Sequence, residues 1–323
     1  MTMSSPSSGL SLSTVLRHGR HLWRRCAKDP YQRWALSLEK QRYRHLWDRQ
    51  LSHDAANEVI AHLLLDCKPC LVGRIGHTEG RIVGEHLFRG SRYGRVTWKQ
   101  AHQNAGIFPV TPQLLSKVAA IYVESIAQSD LLGFWQTTHQ ARLLSDHYPD
   151  IPLAPLPALE PYRHALPWSA ALKHRRVLVV HPFASSIQRQ FQLNRFAIFD
   201  NPNVLPEIDL QVLAPPQTLA PLTGGYATWL EAFAHLKETV LQQDFDVALL
   251  GCGAYGLPLG AAIKATGRQA IHLGGALQVL FGIRGRRWEQ LPEISALMND
   301  NWVRPTQQET PASASRVDEG CYW

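Results

Sequence analysis

The chain has 323 residues, of which 45% are hydrophobic and 18% charged, the proportions of an ordinary globular protein. Its net charge of +7 lies in residues 1–50, where ten Lys or Arg stand against three Asp or Glu, so the remaining chain carries 23 of each and is neutral. A neutral body argues against a general nucleic-acid-binding surface, and we expect no nucleic acid among the partners.

The cysteines indicate a reducing compartment, because five is an odd number in a long chain and does not suit a disulfide framework. Cys67 and Cys70 have the spacing of a redox pair or of half a zinc site, but no second pair follows, and we interpret the spacing as chance. The longest uncharged run, 247–263, is interrupted by Gly and Pro, so no membrane span is predicted. We therefore expect a cytoplasmic protein.

Residues 1–55 are predicted to be a basic helical N-terminal extension. Residues 1–30 are rich in Ser and Arg and lack the apolar core of a secretory signal, although they could pass for a mitochondrial presequence. Residues 34–51 place apolar side chains near helical spacing among basic ones. Two interpretations stay open: a helix packed on the domain with a solvated basic face, or an arm (residues 1–50) that attaches peripherally to an anionic membrane surface at its inner face.

From residue 56 to 295 the sequence alternates between strand and helix patterns. Strands are predicted at 69–76, 130–135, 175–183, 246–253 and 270–275. Helices are predicted at 78–88, 111–129, 229–243, 258–267, 276–283 and from Ser185 or Ser186 onward. The Pro-rich stretch 149–167 is predicted to be a loop or linker between two halves, and 296–323 a C-terminal tail. This alternation, with continuous apolar strands, predicts an α/β fold with a doubly wound, mainly parallel, Rossmann-like sheet.

Glycines follow two of the predicted strands, on the side where such sheets bind ligands. Gly251, Gly253 and Gly256 have the GxGxxG spacing of a dinucleotide-binding turn, but that site also needs an acidic residue at the end of the next strand. The next strand ends in Gly274 and Gly275, and no Asp or Glu occurs in 247–288. We therefore expect no NAD, and we interpret both turns as places where backbone N–H groups approach an anion.

Three arginines follow the second glycine turn. Arg284, Arg286 and Arg287 lie within four positions, and guanidinium groups bind phosphate oxygens in pairs. Alternatively, the glycines only permit close packing and the arginines belong to a solvated loop. Because both features occur on adjacent strand–helix units, we favour an anionic ligand, and a nucleoside diphosphate suits the arrangement.

Several stretches of the chain resemble a bacterial family linked to surface-polysaccharide synthesis: LVGRIGHTEG, NAGIFPVTPQLL, VLVVHPF, FDVALLGCGAYGLPLGAAIK, AIHLGGALQVLFGIRGRRWE and the closing GCYW. This family is similar to the GT-D class of glycosyltransferases, whose fold is Rossmann-like. The resemblance covers about residues 60–290. It implies a nucleotide-diphosphate sugar as donor and a glycan or lipid-linked acceptor.

The resemblance also implies roles for residues after the first strand. GT-D enzymes carry an Asp-x-Glu element after an Arg-x-Gly strand end, where it contacts the sugar nucleotide and its metal. Arg74, Gly76 and Glu79 match this pattern, but His77 stands where the Asp would be. The histidine at position 77 makes binding of Mn²⁺ or Mg²⁺ less favoured, because these ions prefer two carboxylates to a carboxylate and an imidazole. Glu79 is expected to be a metal ligand or a general base, or else simply an acid at a helix start.

The remaining candidates have ordinary alternatives. His181 ends a strand on the ligand side and is a candidate for acid–base catalysis. Asn104 either bonds a sugar hydroxyl or caps a turn, and Trp288 either stacks on a base or sugar or packs inside the domain. Tyr255 and Gln278, which lie in the stretches that carry the resemblance, complete the predicted donor-binding set.

These features predict a sugar-nucleotide-dependent glycosyltransferase of cell-envelope or capsular polysaccharide assembly. The backbone of the glycine turns, together with Arg286 and Arg287, would hold the diphosphate and stabilise its departing charge. The main alternative is a non-catalytic sugar-nucleotide-binding or scaffold subunit of the assembly machinery, which the histidine at position 77 keeps open. An NAD(P)-dependent oxidoreductase ranks third.

The missing acidic residue after the glycine turn generates a test of ligand class. A diphosphate sugar of uridine, guanosine or thymidine should raise the melting temperature by mass action, and NAD should not. A thermal-shift screen of nucleotide sugars, NAD and NADP, with and without Mn²⁺, measures this directly. A shift with NAD and none with any nucleotide sugar would contradict the prediction.

Overall fold

The computed structural model describes residues 30–323 except positions 136, 138, 313 and 315–319. Its strands are β1 (Cys70–Arg74), β2 (Leu131–Phe134), β3 (Leu153–Pro155), β4 (Arg176–Val180), β5 (Asp209–Leu213), β6 (Val247–Leu250) and β7 (Gln269–His272). They form one sheet in the order β3-β2-β1-β7-β6-β4-β5, and every pair is parallel. The predicted doubly wound, Rossmann-like α/β fold is thereby confirmed.

Helices connect and cover the strands. They are α1 (Pro30–Arg42), α2 (Arg44–Asp48), α3 (His53–Leu65), α4 (His77–Arg89), α5 (Arg95–Gln103), α6 (Pro112–Ala127), α7 (Gln140–His147), α8 (Ala184–Ile198), α9 (Trp229–Leu241), α10 (Gly256–Ala265), α11 (Leu277–Leu280), α12 (Arg286–Glu289) and α13 (Pro292–Ser295). Within the described residues, no helix combines the length and the apolar character needed to span a bilayer.

The sheet is buried on both faces, which explains the continuous apolar strands. Side chains alternate along a strand, so Leu71 and Ala270 lie in the core beneath α4, α6, α9 and α10, whereas their neighbours Val72 and Ile271 lie in the core beneath α3 and α8. The two pairs are opposite each other in the β1–β7 register. Two hydrophobic layers therefore hold the centre of the sheet in place.

The described part of the basic extension packs on the domain. Leu36, Tyr43 and Leu46 are buried, and the ring of Trp47 lies 4.7 Å from that of Phe134 at the end of β2. This packing agrees with the first of the two interpretations for residues 34–51. Residues 1–29, which carry much of the proposed membrane-binding arm, lie outside the described residues.

The Pro-rich stretch and the tail differ from the prediction. Residues 149–167 contain the edge strand β3 and two short 3-10 turns (Leu156–Leu159 and Pro161–Arg163), most of whose side chains are buried. The tail is also part of the body: Trp302 lies in the core, and the Glu309 carboxylate accepts the backbone N–H of Ser186 in the first turn of α8 at 3.0 Å. The prolines made the sequence of β3 look like a loop. The tail was not recognised as part of the body because its contacts are with residues far away in the sequence.

Candidate active site

The predicted strand-end residues and glycine turns meet at the carboxyl edge of the sheet. This edge is formed by the residues that follow the carboxyl ends of the strands. The chain runs outward from β1 through β2 to β3, whereas β7 pairs with the opposite side of β1. In such sheets a ligand usually binds in a crevice at a change of direction of this kind, which here lies between the ends of β1 and β7. Arg74 ends β1, the Gly274–Ala276 turn follows β7, and the turn at 251–256 follows β6.

Arg74 lies directly against the β7 turn. A Cβ at Gly274 would stand 3.3 Å from both Cδ and Nη1 of Arg74, and the positive φ of 60° at Gly274 also requires glycine. The guanidinium carbon lies 5.1 Å from the ring centroid of Trp135. Burial lowers the pKa of Arg74; the Glu79 carboxylate opposes this effect and the Arg287 cation adds to it. Arg74 stays protonated, so the crevice contains a buried cation.

Glu79 lies beside this cation. Gly76 is the N-cap of the 13-residue helix α4, and the Glu79 side chain folds back over it, so a side chain at position 76 would displace the carboxylate. The negative charge thereby sits at the positive end of the helix dipole as well as near Arg74. The structure thus brings together Arg74, Gly76 and Glu79, the three residues that match the GT-D pattern.

The neighbourhood of Glu79 does not form a metal cage from protein side chains alone. His77 contacts a guanidinium nitrogen of Arg81 at 3.4 Å through Nε2, and its ring lies 6.5 Å from that of Trp135. Across the described ranges, no group of three His, Cys, Asp or Glu side chains is placed to hold a metal. Beside a phosphate ligand, Mg²⁺ is usually held by one or two carboxylates, and Glu79 is the carboxylate in the first turn of α4.

The glycines of the 251–256 turn have different roles. A side chain at Gly251 would collide with His181, and one at Gly256, the first residue of α10, would collide with His272. Gly253 is exposed with φ 58°, and in the described part of the chain no atom lies within 4 Å of the position its Cβ would take. Two of these glycines therefore permit close packing, and Gly253 presents backbone to open space.

Residues 320–323 complete the edge on the other side of the crevice. The Tyr322 ring covers Gly275, its hydroxyl accepts a hydrogen bond from Arg287 Nη1 at 2.9 Å, and the Arg287 guanidinium lies 4.7 Å from the ring centroid. The buried side chain of Gln278 donates to the Tyr322 carbonyl at 3.1 Å. Gln278 therefore supports this segment from below. Position 322 was missed as a site residue, although it lies in the GCYW stretch that carried part of the resemblance.

Several predicted donor-binding residues make other contacts or are buried. Arg284 donates to the carbonyl of Asn299 at 2.9 Å, whereas Trp288 is buried in the core. Tyr255 is buried too, stacked on Trp229 at 5.0 Å. Asn104 is the C-cap of α5, and Arg286 is exposed, with its backbone N–H 3.4 Å from the carbonyl oxygen of Trp323. Of the three arginines at 284–287, Arg287 is the one whose charge acts on Arg74.

Two buried histidines flank the glycine turns. His181 accepts the backbone N–H of Phe183 through Nδ1 at 3.0 Å, and burial lowers its pKa to about 3. His272 donates from Nδ1 to the carbonyl of Leu250 at 3.1 Å; burial, and then the charge of Arg74, lower its pKa to about 3. Both are neutral at pH 7. With so low a pKa, His181 is a weak proton acceptor, so the acid–base role predicted for it is less suited to the site than a role in packing.

Glu160 is a buried acid that sequence reasoning missed. It follows β3, is 8% exposed, and pairs with Arg163, which lies 3.5 Å from Glu293. Its charge also acts on Arg74. The surrounding prolines had marked the segment as a linker, and no spacing in the sequence relates Glu160 to β1.

Comparison with known proteins gives one structural likeness. No protein-family model matches the chain, and no curated protein matches it. Among solved structures, the chain is similar to a selenomethionine-substituted structure of a domain of unknown function, 1792, with 14% sequence identity and a TM-score of 0.43. The match covers 74% of this chain and 82% of that chain.

The buried histidines predict acid lability. Each binds a proton below about pH 6.5 when unfolded, but only below about pH 3 when folded, so the unfolded state holds more protons in between. Their contribution to stability is present above pH 6.5 and is lost as the pH falls toward 3, by about 1.4 kcal/mol per pH unit for each histidine.

A His272→Asn variant tests this, because the Asn amide can replace the Nδ1 hydrogen bond without titrating. Melting temperatures measured from pH 7 to 4 should fall less steeply for the variant than for the unmodified chain. Parallel curves would show that His272 does not titrate as described.

Proposed function

We propose that this chain is a glycosyltransferase that uses a nucleotide-diphosphate sugar in the assembly of a cell-envelope or capsular polysaccharide. One observation carries the proposal: Arg74 packs against Gly274, and Arg287 donates to the Tyr322 hydroxyl, whose ring covers Gly275, so both cations lie at the turn after β7. Two half-buried cations at one glycine turn suit a shared anion. A diphosphate supplies oxygens for both guanidinium groups.

The same cations suit the leaving group of the reaction. When the bond between the sugar and the diphosphate breaks, negative charge grows on the β-phosphate. Arg74 and Arg287, together with the backbone presented at Gly253, would stabilise that charge because they are already in place. No step of the proposed reaction is assigned to a metal.

Glu79 is the proposed general base. Its carboxylate would take the proton of the acceptor hydroxyl as the acceptor oxygen bonds to the anomeric carbon and the nucleoside diphosphate departs. The Glu79 side chain folds back over Gly76 at the start of α4, which holds the carboxylate at the turn that follows β1. We propose a glycan or lipid-linked acceptor, in the cytoplasm, with residues 1–50 providing attachment to an anionic membrane surface.

A second candidate function is a non-catalytic sugar-nucleotide-binding subunit. The observation that favours it is the shortage of groups for proton transfer: His77 replaces an acid, and His181 is a weak base. Both functions need the same diphosphate site and differ in the role of Glu79. An assay of sugar transfer distinguishes them.

Glu79→Gln keeps the shape of the side chain and removes the charge. We expect transfer of radiolabelled sugar from the donor to a membrane lipid extract to fall by about 10²-fold or more, with donor binding and melting temperature nearly unchanged. Glu124→Gln, an exposed position on α6, is the matched control and should keep the full rate.

If Glu79→Gln transfers sugar at the wild-type rate, Glu79 has no catalytic role and is only an acidic residue at the start of a helix. An unmodified chain that binds donor but transfers sugar to no acceptor would favour the non-catalytic function.

A further inference from the structure

An open groove of about 570 Å³ runs along α5, away from the crevice between β1 and β7. Its floor and walls include Arg95, Trp98, Lys99, His102, Pro109 and Val110. The first four belong to α5, and the two apolar residues belong to the loop that follows it. Its size is that of a ligand-binding cleft, but the groove is open along its length, which suits an extended ligand.

The charge of the groove has one sign. Arg95, Lys99 and His102 are spaced four and three residues apart, so they share one side of the helix, and all three are exposed. Among the described lining residues, none is acidic. The nearby acid Glu85 is buried and already accepts the N–H of Gly94 at 2.8 Å and pairs with Arg89. The groove therefore attracts a negatively charged ligand.

Trp98 gives the groove a flat aromatic wall. Its indole N–H donates to the carbonyl of Tyr93 at 3.2 Å, which fixes the ring in one orientation. The side chain is only half-buried, so part of the ring is accessible. An aromatic face between two cations matches a ligand that alternates apolar ring faces with anionic groups, as a chain of acidic sugars does.

The groove is joined to the candidate active site through one loop. Gly106, with φ 63°, packs so closely on Thr218 that a Cβ would stand 2.8 Å from the Thr218 carbonyl oxygen. The Thr218 hydroxyl is 2.9 Å from that of Tyr255 in the 251–256 turn, and Phe108 accepts the N–H of Trp229 at 2.7 Å. The loop that forms one wall of the groove is thus fastened to the glycine turn after β6.

We propose that this groove binds an anionic saccharide, a chain whose sugar rings carry carboxylate or phosphate groups. As the acceptor of sugar transfer, such a saccharide would be held by the groove while one end reaches the crevice; that role, but not the binding itself, rests on the proposed function. A half-buried indole that is fixed by a hydrogen bond suits a saccharide chain better than a bilayer, which favours protruding apolar side chains.

The test uses the full chain and isothermal titration calorimetry. The probes are oligogalacturonate, which carries carboxylates, a phosphorylated oligomannose, and a neutral malto-oligosaccharide of the same length. The first variant, Arg95→Ala with Lys99→Ala, removes the charge. The second, Trp98→Leu, removes the aromatic face. The matched control, Lys173→Ala with Lys237→Ala, removes two exposed lysines elsewhere.

We expect the unmodified chain to bind at least one anionic probe and to ignore the neutral one. The Arg95 and Lys99 variant should lose about tenfold or more in affinity and much of the salt dependence, because two charge-assisted contacts are gone. Trp98→Leu should weaken binding while the salt dependence stays. The control should bind like the unmodified chain.

Three results would each overturn the proposal. The charge variant could bind the anionic probes as tightly as its control does. The neutral probe could bind as tightly as the anionic ones, or the chain could bind only to vesicles of anionic lipid. Sugar transfer without saccharide binding in the groove would overturn it and leave the proposed function intact. Saccharide binding by a chain that neither binds a nucleotide sugar nor transfers sugar would support the groove and contradict the proposed function.

Discussion

The parallel pairing of β1 with β7 is the constraint on which the candidate active site depends. Residues about 200 positions apart in the chain lie side by side there, with Cys70 opposite Gln269 and Val72 opposite Ile271. The Gln269 side chain secures the pairing, because its amide donates to the carbonyls of Leu63 and Lys68 at 2.7 and 2.9 Å. A shift of register by one residue would break these two hydrogen bonds and move Arg74 away from Gly274. The crevice exists because that shift is excluded.

The electrostatics of the crevice follow from this pairing. Arg74 is brought into a place with little water, near Arg287, while Glu79 is held at the start of α4. His272, beneath the crevice, stays neutral because burial and the charge of Arg74 oppose its protonation. The site therefore holds the Arg74 and Arg287 cations together with the charges of Glu79 and Glu160, which act on Arg74. Such a set suits a reaction in which an anion departs and a hydroxyl loses a proton.

Much of the sheet could be predicted from the sequence, but two of its strands could not. The central strands β1, β4, β6 and β7 are buried along almost their whole length and consist mostly of apolar residues, which is the pattern of strands covered on both faces. The edge strand β5 is partly exposed along its whole length and lacks that pattern. The other edge strand, β3, ends in a proline and lies among several more.

The site was predictable where neighbours in sequence are neighbours in space. Arg74, Gly76 and Glu79 lie on one strand–helix turn, so their grouping followed from a short motif. Spacing could not separate Arg284 from Arg287: Arg284 precedes the short helix α12 and bonds the Asn299 carbonyl, whereas Arg287 lies within α12 and bonds Tyr322. Tyr322 and Glu160 reach the crevice from distant parts of the chain, through contacts that no local pattern encodes.

A crystal structure of the full chain with a bound nucleoside diphosphate would show where the diphosphate lies. We predict β-phosphate oxygens within hydrogen-bond distance of the Arg74 and Arg287 guanidinium groups, between the Gly253 turn and the Gly274–Ala276 turn. A diphosphate bound in another place, such as the groove along α5, with Arg74 and Arg287 untouched, would contradict it.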